Sequence, residues 1–234
     1  RSTRKESSAA SDVYKRQAVA GAPILSAIEA FQRVALPDTT GRLIWSDEFD
    51  DAPGHGRQAP RSDRWAIDIW PARKVNDEDQ AYTGRPKNVR VDSGVLILEA
   101  HQEAYQDAHY TSARVHTKGL LDLQYGQIEV RAKLPRGQGT WPAIWMLPSN
   151  PFKFATTCDA SVAEWQGNAD CDAWPNSGEI DVMEHVGFDP GVVHGTVHTK
   201  AYYWANWNQH KGSIVLPDFD QFHRYQLIWT VDQI

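Results

Sequence analysis

The chain has no apolar run of about 18 residues, the length a helix needs to cross a bilayer. It also has no long basic run, and its formal net charge is −6. Nucleic acids and anionic membranes attract positively charged proteins, so this charge argues against both kinds of partner. We therefore expect no nucleic-acid partner and no membrane partner.

Cysteine is scarce, and the two residues, Cys158 and Cys171, lie in one polar loop. If they are joined, the bridge closes a short loop and is worth about 3 kcal/mol in the chain-entropy account. Two free thiols are the alternative. Because a bridge indicates an oxidising compartment, we predict a disulfide in a secreted, periplasmic or cell-surface protein. No ordinary signal peptide is visible, since the most apolar early segment, residues 18–25, is short.

Tryptophan is frequent, with 10 residues beside 8 Tyr and 7 Phe in a chain of mean hydropathy −0.55. Some of these rings can fill a core. So many in a polar chain favour rings displayed along a groove, where the apolar face of a sugar stacks well.

Residues 1–17 are rich in Ser, Lys and Arg without apolar periodicity, so we interpret them as a non-native or disordered tail. Residues 18–40 are interpreted as a leader or linker. Over residues 41–234, short β-prone runs such as 43–45, 88–91 and 126–134 alternate with turn signals such as Asp92-Ser93-Gly94. This pattern predicts one all-β domain, an antiparallel two-sheet β-sandwich. Residues 225–234 read as a strand that ends without a turn signal, so we expect the domain to lack its last strands.

The segment GEIDVMEHVG (178–187) holds three acids in an otherwise apolar strand pattern. Side chains alternate between faces in a strand, so Glu179 and Asp181 share a face and Glu184 falls on the other. A β-bulge near residues 182–183 would return Glu184 to the shared face. A solvated acidic edge is the alternative to a catalytic use.

Three acids on one face repel one another, and glycoside hydrolysis gives such an arrangement a use. A retaining enzyme needs two carboxyl groups about 5–5.5 Å apart, one as nucleophile and one as proton donor. In this hypothesis Asp181 hydrogen-bonds Glu179, and its charge raises the pKa of Glu184 so that Glu184 stays protonated near neutral pH.

The acidic motif is accompanied, in order along the chain, by WSDEFD (45–50), NDEDQAYT (76–83), YTSARVHTKG (110–119), YGQIEVRAKLPRGQGTWPAIWMLP (125–148), HGTVHT (194–199) and FHRYQLIWT (222–230). Together these motifs resemble glycoside hydrolase family 16, and within it the laminarinase-like endo-β-1,3-glucanases. The resemblance implies a concanavalin-like jelly roll with a concave substrate cleft. It implies Glu179 as nucleophile, Asp181 as assisting acid and Glu184 as general acid/base, with no cofactor for catalysis.

The resemblance also marks six substrate-binding candidates. For the two tryptophans the alternative is core packing, and for the polar residues it is ordinary surface hydrogen bonding. The six are Trp141, Trp145, Asn76, Glu78, Arg114 and His198. A structural calcium ion is frequent in the family, and Glu48 and Gly94 are the candidate ligands here.

Residues 152–174 form a long insertion before the acidic strand and depart from the common family pattern. Trp165 or Trp174 can serve there as a sugar platform, or the insertion is a pinned surface loop. We expect a monomeric, retaining endo-glycosidase acting on β-1,3- or mixed β-1,3/1,4-glucan such as laminarin. Two alternatives stay open: an agar- or carrageenan-type galactan hydrolase on the same scaffold, and a glycan-binding sandwich without catalysis.

Overall fold

A computed structural model describes residues 41–50 and 58–234. The predicted tail and leader, residues 1–17 and 18–40, lie outside the described residues. The described part is almost entirely β, with one four-residue helix and one short 3-10 turn, which confirms the all-β prediction. Its elements in chain order are β1 (Ala66–Ile67), β2 (Gln80–Tyr82), β3 (Val89–Asp92), β4 (Val95–Leu98), β5 (His101–Tyr105), β6 (Ala108–Ser112), β7 (Val115–His116), β8 (Gly126–Lys133), β9 (Ala143–Met146), α1 (Ala173–Asn176), β10 (Glu179–His185), β11 (Val192–His198), a 3-10 turn (Trp204–Asn206), β12 (His210–Val215) and β13 (Phe222–Trp229).

The strands of the described residues form five hydrogen-bonded sheets. The largest is an antiparallel sheet in the order β12-β11-β10-β9, and it carries the acidic motif. The others are β13-β8, β3-β4, β1-β7 and β2-β6-β5. The β2-β6 pair is parallel, a departure from the predicted antiparallel pattern. The long stretch of chain between these two strands allows the crossover that parallel pairing needs.

One face of the largest sheet is packed against the β8-β13 pair. The buried side chains that meet there are Leu134, Met183, Val193, Phe219 and Tyr225. Met183 is 1% exposed, so the middle of β10 is anchored in this core. The other face of the sheet is left for polar side chains, which is the layering that the predicted sandwich requires.

The structure contains one turn that the sequence predicted and lacks one predicted strand at the start of the domain. Ser93 and Gly94 connect β3 to β4 with φ of 54° and 76°, the paired left-handed conformation that favours glycine in two-residue hairpins. Residues 43–45 form no strand, which corrects the sequence prediction. Leu43 and Ile44 are 77% and 66% exposed, so no burial on a neighbouring strand stabilises an extended ladder there.

Candidate active site

The register of β10 gathers the three acids on one face. Glu179 is opposite His198 on β11, and Glu184 is opposite His194. Five steps along β10 therefore match four along β11, and the irregularity lies between Asp181 and Glu184. This is the β-bulge that the sequence spacing required for a shared face.

Glu179 lies at the start of β10 beneath the indole of Trp174, whose Nε1–H donates to the Glu179 carboxylate. The ring of Trp174 is 5.8 Å from that of His198 and 5.7 Å from that of Tyr203. Burial, followed by the charge of Asp181 and a hydrogen bond with it, raises the pKa of Glu179 to about 8. The Trp174 hydrogen bond opposes that rise because it stabilises the ionised form.

Asp181 lies between the two glutamates and is 6% exposed. Its Oδ2 is 3.3 Å from Nε2 of His198, and both side chains are almost fully covered. Burial and repulsion from Glu184 raise the pKa of Asp181 to about 7, while the hydrogen bond with Glu179 lowers it. Burial holds the pKa of His198 below its ordinary value, which favours the neutral imidazole.

Glu184 accepts a hydrogen bond of 2.9 Å from the indole Nε1–H of Trp141. Burial raises the pKa of Glu184, and Trp141, His198 and Lys211 each oppose that rise. The direction agrees with the sequence prediction, but the main cause is burial, and the repulsion between the acids raises the pKa of Asp181 instead. A raised pKa favours the protonated form of Glu184, which is the form that a general acid needs.

These three carboxyl groups can divide acid, base and nucleophile roles. Glu179 and Asp181 share a hydrogen bond and repel each other when both are ionised, so they titrate as a unit. The two groups share protons near neutral pH, and Glu179 is able to act as a nucleophile in the form in which Asp181 carries the shared proton. The raised pKa of Glu184 makes this group suited to the role of proton donor. The site thus offers a nucleophilic carboxylate next to a protonated carboxylic acid.

Beside β10, a cation is enclosed by two indoles. The guanidinium of Arg114 is 4.3 Å from the ring of Trp70 and 4.7 Å from the ring of Trp145. Its Nε is 2.9 Å from the Asp68 carboxylate. Trp145 is opposite Asp181 in the β9-β10 ladder, so this stack supports the sheet directly beside the acids.

Residues 76–234 match the model of the glycosyl hydrolases family 16. The chain belongs to this family. A beta-glucanase of Rhodothermus marinus is 46% identical over 194 residues, which cover 82% of this chain and 60% of the relative. The laminarinase structure from Rhodothermus marinus superposes with a TM-score of 0.68 at 46% identity, over 81% of this chain and 68% of that one. A non-specific endo-β-1,3(4)-glucanase named SCLam superposes with a TM-score of 0.65 at 39% identity, over 81% of this chain and 65% of that one.

Membership of family 16 confirms the resemblance and, with the laminarinase superposition, the predicted jelly-roll sandwich. This chain spans about 60% of the length of its Rhodothermus marinus relative. No helix within residues 41–50 and 58–234 is long and apolar enough to cross a membrane.

The remaining predicted cleft residues of this family 16 chain lie around the Arg114 stack. Glu78 accepts hydrogen bonds from Nε2 of Gln80 at 3.1 Å and from the Tyr82 hydroxyl at 2.9 Å. Burial raises the pKa of Glu78, while the Tyr82 hydroxyl, Arg114 and Asn76 oppose that rise. Asn76 is exposed with φ of 53°. Asn76 and Glu78 therefore belong to one polar rim, and Glu78 links that rim to Arg114.

The insertion contains the predicted bridge, since Cys158 and Cys171 form a disulfide.

The described residues give no comparable support to the predicted calcium site. Glu48 and Gly94 are both exposed, and the described residues contain no group of three or more His, Cys, Asp or Glu side chains arranged to hold a metal ion. Calcium binding through these two residues stays a prediction.

Sequence reasoning missed Lys211 of β12. It is opposite Thr196 of β11, which is itself opposite Asp181 of β10, so the three side chains share the cleft face. The segment HKGSIV does not alternate apolar and polar residues as a half-buried strand does, so its sequence pattern did not predict a strand. Its ammonium group interacts with Glu184, which adds a cation to the site.

Proposed function

We propose that this chain is the catalytic part of a retaining endo-glycosidase that hydrolyses β-1,3-glucan or mixed β-1,3/1,4-glucan by double displacement. The observation that carries the proposal is the bulged register that puts Glu179, Asp181 and Glu184 on one face. A binding module has no use for three mutually repelling acids, whereas a retaining hydrolase needs a nucleophile and an acid/base side by side.

The first step transfers the sugar to the enzyme. Glu179 attacks the anomeric carbon while Glu184 gives its proton to the glycosidic oxygen, so the C–O bond to the leaving sugar breaks. A glycosyl ester on Glu179 and a free reducing-side product result. The hydrogen bond between Asp181 and Glu179 keeps the nucleophile oriented.

The second step returns the enzyme to its starting state. Glu184, now ionised, takes a proton from water as the water oxygen attacks the same carbon. The ester bond to Glu179 breaks and its carboxylate leaves. Two inversions at one carbon retain the anomeric configuration.

The substrate class rests on relatives and on aromatic groups near the acids. The similar proteins are named beta-glucanase, laminarinase and non-specific endo-β-1,3(4)-glucanase. Trp141, 52% exposed, and the more covered Trp174 both lie against catalytic carboxylates, where an indole can also meet the apolar face of a glucose ring. The disulfide supports our further proposal that the protein works outside the cytoplasm, in a secreted, periplasmic or cell-surface setting.

Reducing-sugar release from laminarin, lichenan, agarose and carrageenan tests the assignment. We expect turnover of laminarin, weaker or equal turnover of lichenan, and none of the two galactans. Products of several lengths from the start of the reaction would indicate endo cleavage. Activity confined to agarose or carrageenan would overturn the glucan assignment, and saturable laminarin binding without release of reducing ends would favour a binding module.

A further inference from the structure

The insertion of residues 152–174 contains a carboxylate that the proposed catalytic steps do not use. Asp172 follows the disulfide-bonded Cys171 and precedes α1. Its two oxygens accept hydrogen bonds from the backbone N–H of Thr156 at 2.7 Å and of Thr157 at 2.9 Å. They also accept from the hydroxyls of Thr156 at 2.5 Å and Thr157 at 3.0 Å, and from Nδ2 of Asn176 at 2.7 Å.

This carboxylate therefore joins both ends of the insertion to α1. The Thr156 hydroxyl and the other donors hold the pKa of Asp172 well below its ordinary value, so Asp172 is ionised throughout the working range of pH. The disulfide links the same two stretches of chain, because Cys158 lies next to Thr157. Two independent links at one point restrict the backbone that leads into Trp174.

The far part of the insertion is anchored separately. Nζ of Lys74 is 3.1 Å from the Glu164 carboxylate. Gly167, with φ of 74°, lies so close to the carbonyl oxygen of Lys74 that a Cβ at this position would be 2.4 Å from it. The insertion is thus held at its middle as well as at its closed end.

The insertion contacts the acids of β10 through Trp174. It comes two positions after Asp172 and donates its indole N–H to Glu179. Asn176, on the other side of Trp174, is bound to Asp172. The ring is therefore presented by a backbone that Asp172 holds from both directions.

We infer that Asp172 and the disulfide-closed insertion are positioning elements that fix the Trp174 indole on the carboxylate of Glu179. Asp172 does not touch substrate; it acts through Trp174. The expected effect on kcat rests on the proposed glycosidase function, whereas the expected effect on the position of the Trp174 indole does not.

The structural consequence is tested by NMR without substrate. In ¹⁵N-labelled protein, the Trp174 indole N–H signal is assigned by its loss in Trp174→Phe. We expect that signal to move with pH between about 6 and 9 as the Glu179–Asp181 pair titrates. In Asp172→Ala the movement should shrink at least twofold, and in Asp172→Asn, which keeps one acceptor oxygen, it should shrink less.

The matched control is Asp159→Asn in the same insertion. The Asp159 carboxylate accepts a hydrogen bond from the backbone N–H of Ser161 at 2.8 Å. This substitution should leave the Trp174 signal and its titration unchanged. An unchanged titration in Asp172→Ala, or an equal change in Asp159→Asn, would overturn the inference and leave the insertion as a pinned surface loop.

The kinetic arm uses laminarin. We expect Asp172→Ala to lower kcat about tenfold through misplacement of the indole, with little change in KM. The acidic limb of the kcat/KM profile should move to higher pH, because loss of the Trp174 hydrogen bond raises the pKa of Glu179. Adding Trp174→Phe should cause little further loss, since both changes break one link. Additive losses would contradict the link, and an inactive wild type with a normal NMR titration would refute the proposed function alone.

Discussion

Two clusters of covered polar side chains in this chain have opposite electrostatics. In the cleft, burial and mutual repulsion raise the pKa values of Glu179 and Asp181 to about 8 and about 7. In the cluster around β3 and β6, the Glu103 carboxylate is bound by Lys87, Thr111 and Arg85, which lower its pKa to about 2. The cleft cluster disfavours the ionised form of its acids, whereas the second cluster stabilises the ionised form of Glu103.

The second cluster is built for stability. Asn88 is 0% exposed; its Oδ1 accepts from Thr83 at 2.6 Å and from Arg85 at 2.9 Å. Its Nδ2 donates to the Glu99 carbonyl and to the Thr111 hydroxyl, each at 3.0 Å. Every polar atom of the Asn88 side chain is thus satisfied, as a buried network requires.

The cleft cluster differs in its balance of charge. Three acids lie together, burial favours the neutral imidazole of His198, and Lys211 brings a positive charge near Glu184. A covered polar group can thus be retained for folding or for chemistry, and in these two clusters the pKa shifts run in opposite directions.

The largest expected effect comes from removing one of the carboxyl groups that we propose to be catalytic. Glu179→Gln or Glu184→Gln should each lower kcat on laminarin about a thousandfold or more, because each abolishes a covalent or proton-transfer step. Both variants should give wild-type circular dichroism spectra. Near-wild-type turnover in either one would refute its assigned role.

Asn88→Ala should be the most destabilising change in the second cluster. It leaves buried donors and acceptors without partners, so we expect the free energy of unfolding to fall by about 2–3 kcal/mol in urea titrations. Asn208→Ala is the control, because the exposed Asn208 also makes two hydrogen bonds, to Ala201 and Tyr203. A similar loss of stability in both variants would show that the buried hydrogen bonds of Asn88 contribute no more than the exposed ones of Asn208.

Trp141→Phe tests what the hydrogen bond from Trp141 to Glu184 contributes to activity. It removes the N–H that binds Glu184 while keeping an aromatic ring, and we expect kcat to fall about tenfold. The alkaline limb of the pH profile should move upward, because loss of a donor to the ionised form raises the pKa of Glu184. A downward or absent movement would contradict this role.

The smallest effects concern stability against pH. Between the unfolded pKa of Glu179, near 4.3, and the raised value of about 8 in the folded state, the folded Glu179–Asp181 pair holds a proton that the unfolded state has released. Stability therefore falls as pH rises through this window. Glu179→Gln should remove that loss and raise Tm at pH 9 by about 2–4 °C, with little change at pH 4.

The opposite sign is expected at Glu103. Its lowered pKa contributes stability that is present above the unfolded value and is lost as pH falls toward about 2. Glu103→Gln should therefore lower Tm at pH 7 and converge with the wild type near pH 2. If both glutamates shifted Tm in the same direction at every pH, the contrast between the clusters would be wrong.

Local spacing showed that the acids at positions 179, 181 and 184 share a face only if β10 has one extra residue, and the resemblance to the family favoured that bulge over a solvated acidic edge. Spacing did not reveal the hydrogen bond from Trp174 to Glu179, since the ring's position depends on the path of a long insertion. Asp172 was missed for the same reason: its partners Thr156 and Thr157 are 16 and 15 residues away.

The most direct test of the account is to trap the covalent intermediate. A 2-deoxy-2-fluoro β-laminaribiosyl donor with a good leaving group should inactivate the protein and add one disaccharide, because the fluorine slows hydrolysis of the glycosyl ester more than its formation. Peptide mass mapping should locate the adduct on Glu179, and Glu179→Gln should not be labelled. Labelling of Asp181 or Glu184, or turnover of the donor with an inverted product and no adduct, would contradict the mechanism.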